Sequence, residues 1–455
     1  MKQCLRSAVK GGLGTGLAVC LLLFQLAGCT GARTESVAPD NQAAGSVSSA
    51  IADSDPAGTT LSLTMATPSG ALSLLQGDGT AAYYLQETGD GAQVMCIDYA
   101  ARSLSPWTGQ GLAPQDESNA GFVTDVFGGV KPLLANGRLY VLKYGKPAYP
   151  NAGLEGSPCR LSALAQDGTA RREITLESGR LIETNSGAAA DAEELYLLAS
   201  RYDAAGGRTA YELCRTDFER ETLEAIATLE TDGQWYLAGV YDSGIMLQKA
   251  MLPESCQDLS LPEQMQHYTY QLFLYDLSAG RLEATDLTWQ QGEISCVYDA
   301  GGVYYQPAGT QELHRFDAAS GQDIRLPDLQ FPAGYEGGKI VLTGEAYGDH
   351  LGGYLSPAGS DAVQFAGIDL ATGVCTPVTL SYAYDMGQME VSILAQTETQ
   401  FLVVQGQNDD PDTRTALDGT TYTAWQTTQS YALMDKADYW QSVPAYEPIA
   451  DCTAG

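Results

Sequence analysis

The sequence predicts an all-β protein assembled from about seven copies of one repeated unit. Two observations carry that expectation. An Asp-x-x-x-Gly turn signal recurs between short apolar runs, and the runs beside it alternate with a period of two. Helices are expected to be few and short, with candidates only around DFERETLEAI and LPEQMQHY.

The turn signal is clearest in LYDLSAGRLEATDL (Asp276, Gly280), HRFDAASGQDIRLPDL (Asp317, Gly321) and AGIDLATGVCTPVTL (Asp369, Gly373). Weaker copies centre on Asp98, Asp167, Asp217 and Asp435, so the mean spacing is about 56 residues. The chemistry is that of a β-hairpin. The Asp carboxylate caps the turn, and Gly supplies a positive φ. An apolar strand with Gly or Tyr precedes each turn unit, as in ANGRLYVLKY, DAEELYLLASRY, DAGGVYYQPAG and TETQFLVVQG. Leu272 and Leu274 alternate with Phe273 and Tyr275, as a strand requires.

Around four short strands per unit, repeated about seven times, resembles a β-propeller. The resemblance is to the broad class of extracytoplasmic propellers, quinoprotein-like and TolB-like types included, and covers about residues 65–450. The three clear copies lack the Trp that follows Gly in the quinoprotein docking motif, and no Trp-Asp pair occurs. The resemblance therefore implies an architecture and no family function. Seven blades of about four antiparallel strands are expected, with six or eight blades, a solenoid or two sandwich domains as the alternatives.

The N-terminus reads differently. Lys2, Arg6 and Lys10 precede the apolar run GGLGTGLAVCLLLFQLAG, which ends at Cys29. A basic segment followed by an apolar one is a secretory signal and not part of the fold. Leu26-Ala27-Gly28-Cys29 resembles the lipobox of bacterial lipoproteins. That resemblance implies cleavage after Gly28, acylation of the Cys29 thiol, and a lipid-anchored protein on the extracytoplasmic face of the cell membrane. Residues 30–62 are rich in Ser, Ala, Gly, Asp and Pro and too poor in large apolar residues to offset ordering entropy. The expected organisation is a signal peptide over 1–28, a lipidated cysteine and flexible tether over 29–62, and a propeller over 63–455.

A net charge of −32 argues against nucleic acid, which needs neutralising cations, and against direct adhesion to anionic lipid. It suits a soluble surface, a cationic partner or divalent ions. Seven cysteines follow Cys29, an odd number with no CxxC spacing. Several lie in strand-like runs (VMCIDY, YELCRTD, ISCVYD), where buried free thiols are expected.

No catalytic constellation stands out. The three histidines, His267, His314 and His350, have no metal-ligand spacing, and neither HExxH nor GxSxG occurs. The most suggestive stretch is EAYGDHLGGYLS, where Tyr347, Asp349, His350 and Tyr354 are candidate ligand-binding residues, with Glu345 nearby. Asp409, Asp410 and Asp412, read as an acidic loop, are candidate oxygen ligands for calcium, although the EF-hand pattern is absent. Among the 26 tyrosines and five tryptophans, Trp107, Tyr144, Tyr149, Tyr335, Tyr347, Trp425 and Trp440 are loop-like and suited to stacking on sugars or peptides. The insertions at 144–158 and 252–268 are the segments most able to carry specificity. The function expected is that of a monomeric surface binding or scaffold protein facing a protein, peptide or glycan. A glycan- or peptide-processing enzyme on the same scaffold and an accessory subunit of an envelope complex are the alternatives.

Overall fold

The computed structural model describes residues 63–452 apart from 69–75, 88–90, 109–118, 125–128, 136–137, 146–156, 166–169, 177–179, 184, 204–207, 218–221, 385–386 and 416–420. The expected signal, Cys29, the tether, Tyr149 and Asp167 lie outside the described residues. The chain forms a seven-bladed β-propeller. In order, the blades begin with the inner strands Gln76–Gly77, Val130–Ala135, Leu181–Ile182 continued by Ala188–Ala190, Gln234–Tyr241, Ile294–Asp299, Lys339–Ala346 and Ile393–Gln396. Three further antiparallel strands follow outward in each blade.

The alternation seen in the sequence has a specific meaning here. A blade is covered on both faces by its neighbours, so both phases of a strand are apolar. In Thr269–Asp276, Phe273 and Tyr275 pack with blade 3 residues such as Leu213, while Leu272 packs with Val303 and Phe316 of blade 5. Among the described residues, seven buried apolar clusters result, one between each successive pair of blades. The last joins Leu402 and Leu433 of blade 7 to Met95 and Ile97 of blade 1, so the ring is closed. The closure is reinforced at the C-terminus. Glu447–Pro448 is the outer strand of blade 7, and Ala450–Asp451 then runs parallel to Ser103–Pro106, the fourth strand of blade 1.

The three clear turn signals are the hairpins between third and fourth strands. Asp276 Oδ1 accepts from Ser278 Oγ (2.7 Å) and Ala279 N (2.8 Å). Asp317 Oδ1 accepts from Ser320 Oγ (2.7 Å) and N (2.9 Å), and Asp369 Oδ1 from Thr372 Oγ1 and N (both 2.8 Å). These bonds hold all three carboxyls below the usual carboxylate range. Their stabilising contribution is therefore present at neutral pH and is lost as pH falls through that lowered range. Gly280, Gly321 and Gly373 have φ of +59°, +68° and +75°. The weaker copy at Asp98 has the same geometry, with Arg102 at φ +52° in the glycine position.

The three glycines are not equivalent. A Cβ at Gly280 or Gly321 meets nothing within 4 Å, whereas at Gly373 it lies 2.2 Å from the Asp328 carbonyl oxygen. Gly280→Ala and Gly321→Ala are expected to cost about 1 kcal/mol each from backbone strain alone. Gly373→Ala is expected to cost about 2–4 kcal/mol, because overpacking adds to the strain. Denaturant midpoints of the three variants check the ranking; equal midpoints would refute the close approach at Gly373.

Two local expectations are corrected. The described residues of DFERETLEAI do not form the expected helix: Asp217 ends a strand and Glu224–Leu229 is another, paired with Arg208–Asp217. Pairing and the burial of Leu223 and Leu229 outweigh the local helix propensity of Glu, Leu and Ala. The turn expected after Asp435 is instead a short helix, Lys436–Trp440. The expected helix in LPEQMQHY is present as Leu261–Gln264, started by the Glu263 carboxylate accepting from Ser260 N and Oγ.

Candidate functional site

Propeller topology sorts the connections onto two faces. Turns between first and second strands, and between third and fourth, emerge on one face. Connections between second and third strands emerge on the other. The first set is short, as at Asp242–Ser243 and the Asp-x-x-x-Gly turns. The second set includes both long insertions, 144–158 in blade 2 and 252–268 in blade 4. It also includes the ribbon formed where Gln400–Thr415 and Thr421–Asp435 continue past the disc in blade 7. The hairpin of Ser381–Tyr384 and Gly387–Glu390, between blades 6 and 7, leans on that ribbon through Tyr384 Oη, which donates to Asp409.

The N-terminal strand Thr64–Thr67 lies inside the ring. It pairs antiparallel with the channel edge of Ala188–Ala190, where small side chains admit a further strand. Ala66 and Thr67 are buried, and Met65 packs against the cluster between blades 3 and 4. Its direction, opposite to the inner strand, puts residue 64 at the short-turn face and Pro68 at the long-loop face. Lys131 Nζ, on the inner strand of blade 2, donates to the carbonyls of Pro68 (3.1 Å) and Ser186 (3.3 Å). Burial pushes this amine down to about 8.

The residues around His350 fall at the first turn of blade 6, on the short-turn face. Asp349 Oδ1 and His350 Nδ1 are 2.7 Å apart, and the imidazole stacks on Trp440 at 4.9 Å and 10°. Tyr347 is part of the packing between blades 6 and 7, and Tyr354 is half-buried beside a ring of its own blade. Tyr347 meets Phe401 edge-on at 5.4 Å, and Tyr354 meets Phe365 at 5.7 Å. Gly367 makes room for Trp440, whose Cε3 would lie 2.5 Å from a Cβ there. The structure thus brings Asp349 and His350 together and buries Tyr347 in the blade interface. His314 is held by Asp323 (3.1 Å) and stacks on Tyr305.

The acidic stretch Asn408–Asp412 is not a loop. It is extended backbone within the ribbon, paired residue by residue with Trp425–Thr428 and Ala424. Asp409 accepts from Thr427 Oγ1 (2.7 Å) as well as from Tyr384. The side chains of Asp410, Asp412 and Trp425 lie outside the described residues, and no group of three candidate metal ligands occurs among those described. The seven cysteines are free thiols. Burial pushes Cys96, Cys214, Cys296 and Cys375 up to about 12, so these remain protonated and unreactive at neutral pH.

The long-loop face also carries a carboxyl on blade 3. Glu183 follows Leu181–Ile182 on the inner edge of blade 3, and its N–H donates to Leu198 O (2.9 Å). Its half-buried carboxyl is pushed up by burial and pulled back by a hydrogen bond from Ser200. No lysine or arginine pairs with it among the described residues. Tyr144 of blade 2 and Tyr236 of blade 4 lie within its electrostatic reach, and Tyr236 lies within reach of Tyr211, Tyr268 and Tyr270. Tyr268 and Tyr270 stack at 6.2 Å, and Tyr270 stacks on Trp289 at 5.6 Å. Only Tyr144 stood out in the sequence.

No family model matches the chain, and no curated protein matches it. Solved structures similar to it include an acylaminoacyl peptidase of Pyrococcus horikoshii, at 9% identity over 83% of this chain and 52% of that one, with a TM-score of 0.44. The β-propeller domain of the Trilobed protease from Pyrococcus furiosus matches at 9% identity over 85% and 99%, with a TM-score of 0.39. An oligogalacturonate lyase in complex with manganese matches at 10% identity over 72% and 78%, with a TM-score of 0.38.

Proposed function

We propose that the chain is a lipid-anchored extracytoplasmic binding protein, held to the cell membrane through acylated Cys29, that turns its long-loop face toward a protein, peptide or glycan. The opposition of its two faces carries this reading. The strand Thr64–Thr67 enters the ring from the short-turn face, so a tether over 30–62 leads to the membrane from that side. A flexible chain of that length spans about 30 Å. The opposite face holds the long connections and the exposed apolar side chains of Leu181, Leu259, Leu261, Val363 and Met389. Apolar side chains displayed beside variable loops are what a partner surface uses. No described helix is long and apolar enough to cross a membrane, and the anchor in this reading is the lipid.

Two measurements in the native host test the reading. Cys29→Ala is expected to abolish incorporation of an alkyne-palmitate label and to release the protein from the membrane pellet. Retention of label would remove the anchor from the proposal. A photo-crosslinking residue in place of Leu261 is expected to capture an extracytoplasmic partner that the same residue in place of Val374, on the short-turn face, does not. Equal capture from both faces would count against a dedicated binding face.

A further inference from the structure

We infer that the channel edge of blade 3 is an acceptor site for an extended, uncharged peptide, and that Leu63–Pro68 is the chain's own occupant of it. The site is separate from the long-loop face and from the lipid anchor. Blade 3 has its four strands without this segment: Leu181–Ile182 continued by Ala188–Ala190, then Glu194–Asp203, Arg208–Asp217 and Glu224–Leu229. Thr64–Thr67 is a further strand, and its pairing in the ring is with Ala188–Ala190 alone. Thr64 stands opposite Ala190, Met65 opposite Ala189 and Thr67 opposite Ala188. Thr64 Oγ1 also donates to the Ala190 carbonyl at 3.5 Å. Backbone bonds along a sheet edge, with side chains seated to either side, are how sheets take up peptide segments.

Side chains are read on both sides of the strand. Ala66 is fully buried in the apolar cluster between blades 2 and 3, with Leu133, Ala188 and Ala190. Leu63 and Met65 pack against the cluster between blades 3 and 4, with Ala189 and Leu237. The site therefore selects a small residue at one position and apolar residues at its neighbours. The far end is fixed by Lys131, which is only 4% exposed. Its Nζ donates to the carbonyls of Pro68 and Ser186, and no described carboxylate pairs with it. The Ser186 hydroxyl in turn accepts from Leu237 N of blade 4 at 2.9 Å. A buried ammonium is costly unless its donors are satisfied. The Pro68 carbonyl satisfies one of them, so withdrawal of the strand leaves Lys131 short of an acceptor that an incoming peptide supplies.

The chemistry of the ligand follows from these contacts. Leu63–Pro68 carries no charged side chain, and an acid or base at the Ala66 position would be buried without a partner. A sugar lacks the run of N–H and C=O groups that the edge of Ala188–Ala190 pairs with. In the resting chain the occupant is tethered in place, at an effective concentration on the order of millimolar, so a peptide from another molecule binds by displacing it.

The test uses the full chain in a non-ionic detergent and a fluorescein-labelled peptide with the sequence of Leu63–Pro68. Ala66→Asp in the chain puts a charge at the fully buried position and expels the cis strand, while every blade keeps its strands. This variant is expected to unfold in one cooperative transition and to bind the peptide about tenfold or more tighter than wild type, read by fluorescence anisotropy. The same peptide carrying Asp at the Ala66 position is expected not to bind. Adding Lys131→Met to the variant is expected to weaken binding about fivefold, and adding Arg281→Met, at an exposed site on blade 4, to leave it unchanged. Loss of the cooperative transition would overturn the site, because the strand would then be part of the ring's core. A folded Ala66→Asp chain that ignores the peptide, or that binds the Asp-bearing peptide equally, would overturn it as well. Hydrogen exchange on the wild-type chain needs no variant. Amides in the pairing of Thr64–Thr67 with Ala188–Ala190 are expected to exchange faster than those between Glu194–Asp203 and Arg208–Asp217, and equal protection would refute a separable strand.

Discussion

Trp235→Ala is expected to destabilise the protein by about 3–5 kcal/mol, the range for losing a large buried aromatic. Trp235 stands on the inner strand of blade 4 and is 1% exposed. Its ring lies 4.8 Å from that of Phe273, and Nε1 donates to the Glu230 carbonyl at 2.8 Å. Lys249 lies over the ring with Nζ 5.4 Å from the centroid, itself buried and paired with Glu230 and Asp232. Alanine would leave a cavity between blades 3 and 4 that the paired strands cannot collapse to fill, and would uncover Lys249. Trp235→Phe keeps a ring and loses the hydrogen bond, so about 1–2 kcal/mol is expected. Leu181→Ala, at an exposed site, should stay within about 0.5 kcal/mol of wild type. Urea midpoints of the three variants read the series. A midpoint for Trp235→Ala close to that of Leu181→Ala would show that this cluster does not hold the ring.

Truncation after Tyr446 is expected to lower stability by a similar or greater amount, about 4–6 kcal/mol. It removes the outer strand of blade 7 and the strand that crosses to blade 1. The lost backbone bonds include Ile449 N to Tyr431 O (2.9 Å), Ala450 N to Arg102 O (2.8 Å) and Cys452 N to Leu104 O (2.9 Å). Ile449 also leaves the cluster between blades 7 and 1. The Arg102–Glu447 ion pair is half-exposed and contributes about 1 kcal/mol at most. Hydrogen exchange should locate the damage: amides of Gly91–Asp98 and of the disc portion of Thr421–Asp435 should lose protection, while those of blade 4 keep it. Uniform exchange across the ring would mean that the terminal strand does not act as a local clasp.

Local rules and ring geometry contributed differently to what was legible in advance. The Asp-x-x-x-Gly turns were legible because the determinants are contained in five residues: a carboxylate that reaches its own turn and a glycine that accepts positive φ. Asp276, Asp317 and Asp369 all make those bonds. The strands were legible for the same reason, through period-two alternation. The stretches misread in type or form were those where tertiary context outweighs local preference. Glu224–Leu229 pairs as a strand despite helix-forming residues, and Asn408–Asp412 is held extended by a partner strand despite loop-like composition. That Tyr347 packs against Phe401 was not legible, because sequence does not reveal which neighbouring blade a strand will meet.

The sequence by itself determined the repeat, its hairpin turns and the all-β class, because each is written in contacts a few residues long, while the count of seven blades against six or eight was settled by the ring. It also carries the lipobox-like segment ending at Cys29, on which the proposed anchor rests. Only the tertiary structure decided which connections share a face, that Thr64–Thr67 runs inside the ring, and that the C-terminal strand crosses from blade 7 to blade 1. Those relations depend on closing seven sheets around one axis. Closure brings together residues whose separation along the chain leaves no periodic trace.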